Sequence, residues 1–486
     1  MKAKKLIESL GNRYPDCIID DFEVRGITCN SKQVFDNFVF VAIEGTHIDG
    51  HGFIDEAISK GAKAVIAHSS QLTTHGKKKV PVIAVEDTRK AITNLAARFY
   101  GNPSSKIKVV AVTGTNGKTT ITYLIEALIK EAGFVPAVIG TVNYRFKDKI
   151  IPSRNTTPGP IELQSLLADA VNENIDYAVM EVSSHALCQD RTDGIGFHSA
   201  IFTNLTQDHL DYHNTLEDYF QAKAKLFKDL RGYFAVINND DEYSRRLKAM
   251  VKGPAVITYG IDNEADIMAI GIKLGILHTE FTLKAGNKEI KLKTRLIGRH
   301  NIYNILASFA WAYKEGLDDM AVRLALEKFN FVPGRLERVD TAKGFSVFVD
   351  YAHTEDALMN VISALRQISD KRIIVVFGCG GERDKTKRPK MGRVVSELAD
   401  YAIITNDNPR SEDPQDIIKD IRSGIKKDNY CVIPERKEAI KRSLSEAKAG
   451  DIILIAGKGH EDYQILGNKK IHFDDREAVK ECLMSR

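Results

Sequence analysis

The chain has 486 residues, of which 43% are hydrophobic and 28% charged, values that fit folded globular domains and exclude a disordered, collagen-like or coiled-coil protein. At roughly 150 residues per domain, about three domains are expected. With 69 Lys plus Arg against 65 Asp plus Glu the net charge is +4, so no chain-wide surface for nucleic acid is indicated and any anion site is local.

No stretch reaches the ~18 apolar residues of a membrane span, and the opening MKAKKLIESLGNRYPD lacks the apolar core of a signal peptide, so a cytosolic protein is expected. The six cysteines, Cys17, Cys29, Cys188, Cys379, Cys431 and Cys482, show no CxxC spacing and read as free thiols.

In chain order, Lys77-Lys78-Lys79 reads as a solvated loop and Arg89 to Phe99 as a helix. The turn-rich Tyr100-Gly-Asn-Pro-Ser-Ser105 marks a first boundary, and Phe331-Val-Pro-Gly334, after a helical stretch from Met320 to Phe329, marks a second. Domains are placed at 1–103, 104–332 and 333–486. Short β-branched runs then alternate with helical stretches: Val109–Thr113, Tyr177–Val182, Ala200–Asn204 and Tyr233–Asn238, followed by Ser346–Asp350, Arg372–Phe377, Tyr401–Thr405 and Asp451–Ala456. This alternation predicts an α/β protein with a parallel sheet in the middle domain and a Rossmann-like last domain. In such sheets ligands sit beyond the carboxyl ends of strands, where the polar signatures of this chain fall.

Val109 to Thr120 reads as a strand, a tight loop and a helix start. Gly114, Thr115, Asn116, Gly117, Lys118, Thr119 and Thr120 form a phosphate-binding loop: the glycines admit close backbone approach, main-chain N–H groups and the helix start face the anion, Lys118 supplies a cation and Thr119 reaches Mg²⁺. The loop departs from the general G-x-x-x-x-G-K-[ST] form, whose first glycine falls at Val112 here.

The segment Gly114-Thr-Asn-Gly-Lys-Thr-Thr120 resembles the phosphate loop of the Mur ligase family. Asn155-Thr-Thr-Pro158, Glu181-Val-Ser-Ser-His-Ala-Leu187, Asn204-Leu-Thr-Gln-Asp-His-Leu-Asp211, Gly298-Arg-His-Asn301, Pro333-Gly-Arg-Leu-Glu337 and Asp350-Tyr-Ala-His353 extend the resemblance from about Thr28 to Gln464. Together they are similar to the member that adds the third peptide residue to UDP-N-acetylmuramoyl-L-alanyl-D-glutamate. One departure is Glu355, where that subfamily usually has proline. Its place at a helix start implies little functional consequence.

The resemblance implies an ATP-dependent amide ligase of peptidoglycan synthesis, acting with Mg²⁺ through an acyl phosphate. It assigns Thr119, Glu181, His209 and Lys223 to metal and Asn301, Arg335 and Asp350 to the nucleotide. Imidazole on Mg²⁺ is chemically unusual, so a hydrogen bond to the metal's surroundings is the competing role for His209. On sequence alone Lys223, beside the apolar face of a Leu216 to Leu230 helix, reads as a lysine reaching solvent. Tyr219-Phe-Gln-Ala-Lys-Ala-Lys-Leu-Phe227 instead resembles the segment in which the family carbamoylates a lysine, with Lys225 as the competitor.

By the same resemblance Cys29, Ser31, Thr46 and His47 face the uridine end of the UDP substrate. Asn155, Thr156, Thr157, Ser183, Gln189 and Arg191 hold its muramoyl-dipeptide. Turn capping is an equally good reading of the hydroxyls. Arg383, Asp407, Asn408, Pro409, Arg410, Gly457 and Glu461 follow three predicted strands and resemble the site for meso-diaminopimelate, Arg410 matching a carboxylate bidentately. Lysine or lanthionine as the amino acid, a folylpolyglutamate synthetase and a nucleotide-dependent switch ATPase stay open as alternatives. A monomer without a nucleic-acid partner is expected.

Overall fold

A computed structural model describes residues 1–10, 21–45, 48–70 and 80–484. Thr46, His47, Cys17 and the Lys77-Lys78-Lys79 loop lie outside the described residues. The chain packs as two compact units, Met1–Thr258 with Ala310–Leu317, and Tyr259–Phe309 with Asp318–Arg486.

The first unit opens on a parallel sheet of β1 (Gly26–Thr28), β2 (Phe38–Val41), β3 (Ala62–His68) and β4 (Val82–Val85), in that order. Its core is Val39, Val41, Ala64, Ile66 and Ile83 under Ile92 and Leu95 of the helix Thr88–Phe99, one residue longer than the sequence predicts.

The same unit holds the sheet that carries the phosphate loop. Its strands are β5 (Lys108–Thr113), β6 (Pro136–Ile139), β7 (Asn143–Phe146), β8 (Lys149–Pro152), β9 (Tyr177–Glu181), β10 (Phe197–Phe202) and β11 (Phe234–Asn238). The order is β11-β10-β5-β9-β6-β7-β8. The first five run parallel, and β7 and β8 add an antiparallel flank. Every residue of β9 and β11 is buried, as expected where helices cover both faces of a parallel sheet. The segment Ala310–Leu317 joins this unit through Trp311, whose Nε1 donates to Ser199 Oγ at 3.0 Å, and Glu315, which pairs with Lys108 at 2.6 Å and His198 at 2.7 Å.

β12 (Ala255–Gly260) leads into the second unit, where its end pairs in parallel with β13 (Ile267–Leu274). β13, β14 (Thr279–Ala285) and β15 (Lys288–Thr294) form an antiparallel meander. The larger sheet of this unit has the order β16-β17-β21-β18-β19-β20, from β16 (Glu337–Val339), β17 (Ser346–Asp350), β18 (Ile373–Phe377), β19 (Tyr401–Ile404), β20 (Tyr430–Val432) and β21 (Ile452–Ala456). β16 is antiparallel and the rest are parallel. β21, β18 and β19 are neighbours, so their carboxyl ends share one edge. A hairpin, β22 (Tyr463–Leu466) with β23 (Lys469–His472), follows β21.

The chain is thus α/β, and its predicted runs form strands whose ends differ by at most three residues, Ala200–Asn204 becoming Phe197–Phe202. Glu355 opens the helix Glu355–Ile368, capped by Thr354, and pairs outward with Arg393 at 2.6 Å. Among the described residues no helix is long and apolar enough to cross a membrane, and the five described cysteines are free.

Candidate active site

In the first unit, β5 ends at Thr113, and the loop turns at Gly114 (φ +145°) and Gly117 (φ +89°) into the helix Lys118–Glu131. A Cβ on Gly114 would lie 1.8 Å from Thr203 Oγ1, so only glycine fits there. The loop is fastened to the segment after β10. Thr115 N–H donates to Asn204 O at 2.8 Å, Asn116 N–H to Asn204 Oδ1 at 3.0 Å, and Thr203 Oγ1 to Asn116 O at 2.6 Å. The helix start has no side-chain cap, which leaves its first turn suited to an anion.

Two lysines converge on one loop carbonyl. Lys118 Nζ donates to Gly114 O at 2.9 Å and Thr115 O at 2.8 Å, and Lys223 Nζ donates to the same Gly114 O at 2.9 Å. Lys223 projects from the helix Leu216–Lys228 and is only 1% exposed. This corrects the reading from sequence alone of a lysine reaching solvent: the side chain points inward along the apolar face. Burial, reinforced by the neighbouring Lys118 cation, holds its amine well below the usual lysine range, against the opposing pull of Asp208 and Cys188. Lys225 has a different fate, ion-paired to Asp190 and, at 2.8 Å, to Asp193.

Glu181 ends β9 and is 1% exposed. Its carboxylate accepts from Thr119 Oγ1 and Thr141 Oγ1, both at 3.0 Å, and from Thr141 N–H at 2.8 Å. Thr141 Oγ1 also meets Thr156 Oγ1 at 3.0 Å. A buried carboxylate among hydroxyl oxygens is a hard, oxygen-rich set that suits Mg²⁺. Among the described residues no three His, Cys, Asp or Glu side chains are placed to hold a metal ion by themselves. His209 sits at φ +53°, half-exposed, 3.5 Å from Asp208 and with its ring 4.8 Å from that of His185.

Beside Glu181, Thr157 Oγ1 donates to Glu181 O at 2.9 Å and accepts from Ser183 N–H at 3.0 Å, while Ser183 Oγ caps the helix Ser184–Cys188. Arg191 donates to Thr157 O at 2.9 Å and is held by Gln189 Oε1 at 2.6 Å. Asn155 O accepts from Tyr144 OH at 2.7 Å. In the first sheet, Cys29 is exposed and Ser31 Oγ donates to Glu56 at 2.7 Å.

In the second unit the expected amino-acid residues gather at the shared edge of β18, β19 and β21. Asn408 Nδ2 donates to Glu461 at 2.9 Å, and Arg410 Nη1 donates to Gly381 O at 2.6 Å. Gly457 (φ +115°) lies where a Cβ would come 2.9 Å from Asp407 Oδ2. Arg383 is exposed on the loop after β18. Lys458, fully buried, stands 3.6 Å from Asp407 and 3.5 Å from Glu461. Burial and the nearby Asp407 charge raise the Glu461 carboxyl, opposed by Lys458 and Asn408. Asp407 Oδ1 is buried and accepts no hydrogen bond. Asp407 and Glu461 thus stand together in a cluster beside Lys458, with the Lys387 and Arg436 cations also within electrostatic reach. Behind it, Arg436 and Asp475, both fully buried, pair at 2.7 and 2.8 Å.

Arg335 and Asp350 occupy the same unit. Asp350 accepts from Leu336 N–H at 2.7 Å and Ala352 N–H at 2.8 Å, and burial raises its carboxyl despite the nearby Arg335 cation. Asn301 donates to Ile297 O at 2.9 Å and accepts from Asn304 at 3.0 Å. Sequence reasoning did not single out Thr141, Lys458 or Gln464. Lys458 follows Gly457 directly in Gly457-Lys-Gly-His-Glu461, where a lysine just after an apolar strand run is a readable signal.

The chain belongs to the Mur ligase family. It matches the Mur ligase family catalytic domain over residues 23–100, the Mur ligase middle domain over 112–312 and the Mur ligase glutamate ligase domain over 334–459. Within that family it is 47% identical to UDP-N-acetylmuramoyl-L-alanyl-D-glutamate--2,6-diaminopimelate ligase 1 of Clostridium acetobutylicum, over 99% of each chain. It is 43% identical to the corresponding ligase of Clostridium tetani, again over 99% of each. A solved UDP-N-acetylmuramoyl-L-alanyl-D-glutamate--2,6-diaminopimelate ligase superposes with a TM-score of 0.74 at 32% identity, covering 99% of this chain and 98% of that one.

Proposed function

We propose that this protein is an ATP-dependent amide ligase that joins meso-2,6-diaminopimelate to the D-glutamate of UDP-N-acetylmuramoyl-L-alanyl-D-glutamate, a step of peptidoglycan precursor synthesis. The carrying observation is the resemblance to diaminopimelate ligases over 99% of the chain at 47% identity. A division at 1–103, 104–332 and 333–486 is supported by the three family matches. As a consumer of ATP and a UDP-linked precursor, the protein is assigned to the cytoplasm.

In this reaction a carboxylate attacks the γ-phosphorus of ATP and releases ADP. The amine then displaces phosphate from the acyl phosphate and loses a proton. Two anions meet in the first step, so the site must supply positive charge. Lys118, now folded over the loop, is the cation for the β/γ-phosphates, and the uncapped helix start donates to them. Glu181 and Thr119 would hold Mg²⁺, which offsets charge on the transferred group. Lys223 suits carbamoylation, since only a neutral amine adds CO2, releasing one proton as the carbamate forms. Lys225, paired with two aspartates, is kept as an ammonium. In the second unit Asp407 and Glu461 receive an ammonium group of the amino acid, and Arg410 its carboxylate. The test is phosphate release: it should require ATP, Mg²⁺, the UDP-muramoyl-dipeptide and diaminopimelate together, and release without the last two refutes the ligase reading.

A further inference from the structure

The loop Asp407-Asn-Pro-Arg410 leaves β19 in a shape its own residues do not enforce. Arg410 lies at φ +53°, a left-handed conformation that non-glycine residues seldom adopt without outside support. That support comes from the hairpin. Gln464 Nε2 donates to Asp407 O at 2.7 Å and Ile465 N–H to Asn408 Oδ1 at 2.9 Å. Arg410 N–H donates to Ile465 O at 3.1 Å, and Gly467 N–H donates to Arg410 O at 2.8 Å. The loop is therefore bonded along its length like an added strand, with a parallel bridge between Arg410 and Leu466.

Of the donors in these four bonds, Gln464 alone uses a side chain, and it is 7% exposed. It grips the carbonyl of Asp407, the residue whose buried Oδ1 has no hydrogen bond. A two-stranded hairpin is marginal alone, so hairpin and loop order each other.

We propose that the hairpin of β22 and β23 sets specificity for the incoming amino acid, with Gln464 as the positioning residue that acts through Asp407 and Arg410. This deepens the ligase reading and rests on it. Loosening the loop weakens capture of the amino acid's far ammonium and carboxylate. The residues assigned to ATP and to the UDP substrate all lie outside this loop.

The experiment compares native protein with Gln464→Leu, which keeps the size and removes the donor. KM for diaminopimelate should rise roughly five- to tenfold, the factor one lost hydrogen bond gives. Meanwhile kcat and the KM values for ATP and the UDP substrate stay within twofold, and the preference for diaminopimelate over lysine falls, because only diaminopimelate also loses the grip of Arg410 on its far carboxylate. An unchanged KM for diaminopimelate, or a parallel shift of all three KM values, overturns the proposal. If Gln464→Leu does not fold, Gln464→Met, which also lacks a donor, takes the same measurements. Native protein that fails to join diaminopimelate refutes the ligase reading and the inference together. A native diaminopimelate ligase with indifferent variants refutes the inference alone.

Discussion

Replacing Gly114 by alanine tests the phosphate loop where its geometry is least forgiving. The φ of +145° is close to a glycine-only region, and an L-residue there costs about 1–3 kcal/mol. The new methyl would lie 1.8 Å from Thr203 Oγ1 and 3.0 Å from both N and O of Asn204, an overpacking worth about 1–3 kcal/mol. Relief requires Thr203 to swing away, which breaks its 2.6 Å bond to Asn116 O and loses about 1 kcal/mol more. The sum, about 3–7 kcal/mol, is a large share of the 5–15 kcal/mol typical of a folded protein. Urea unfolding followed by circular dichroism measures it, and titration calorimetry with ATP reports the loop itself. Gly114→Ala with Thr203→Ala removes the obstructing hydroxyl and should recover about 1–3 kcal/mol, leaving the backbone strain. A single variant within 0.5 kcal/mol of native, or a double variant with no recovery, refutes this account of the loop.

Three further outcomes are expected. Lys223 has a folded-state pKa below the ordinary 10.5, so the unfolded chain binds more protons between the two values and native stability rises with pH across that window. In CO2-free buffer, where the amine stays unmodified, Lys223→Met should flatten this slope, and the variant should lose ligation, as read by urea titrations at pH 6, 8 and 10 beside the phosphate assay. Arg436→Met strands the fully buried Asp475 and should cost about 3–5 kcal/mol in the same unfolding assay, most of it restored by adding Asp475→Leu. Arg410→Ala should lower kcat/KM for diaminopimelate roughly 30-fold or more while changing lysine use little, because only diaminopimelate brings the partner carboxylate.

The parallel strands were readable because strands buried on both faces appear as unbroken apolar runs: Tyr177–Glu181 and Ile373–Phe377 are buried throughout. The antiparallel flanks were not anticipated. β8 is four residues long and almost wholly exposed, so no burial pattern marks it. β14 alternates buried and partly exposed positions along Thr279–Ala285, a period-two signal the sequence does carry. The phosphate-loop reading singled out Lys118 and the family resemblance Glu181 and Arg410, but neither pointed to the side chains that support them. Thr141 reaches Glu181 from 40 residues away, and Gln464 reaches Asp407 from 57 away. No local pattern encodes such pairings.

The choice between Lys223 and Lys225 shows where sequence reasoning stops and packing decides. Both lie on one helix two residues apart, and both are flanked by alanine, so composition treats them alike. Helical geometry turns residues two apart to different faces. Ala224, Phe220 and Phe227 pack into the sheet's core, and Lys223 follows that side to the carbonyl of Gly114, where desolvation and Lys118 both oppose a second ammonium. Lys225 meets Asp190 and Asp193 instead, two carboxylates that favour its charge. The proposed carbamoylation needs an amine that spends time uncharged, and burial beside Lys118 favours that form at Lys223, whereas the two aspartates favour the ammonium at Lys225. On that reading the burial that makes Lys223 a poor structural lysine is what suits it to add CO2.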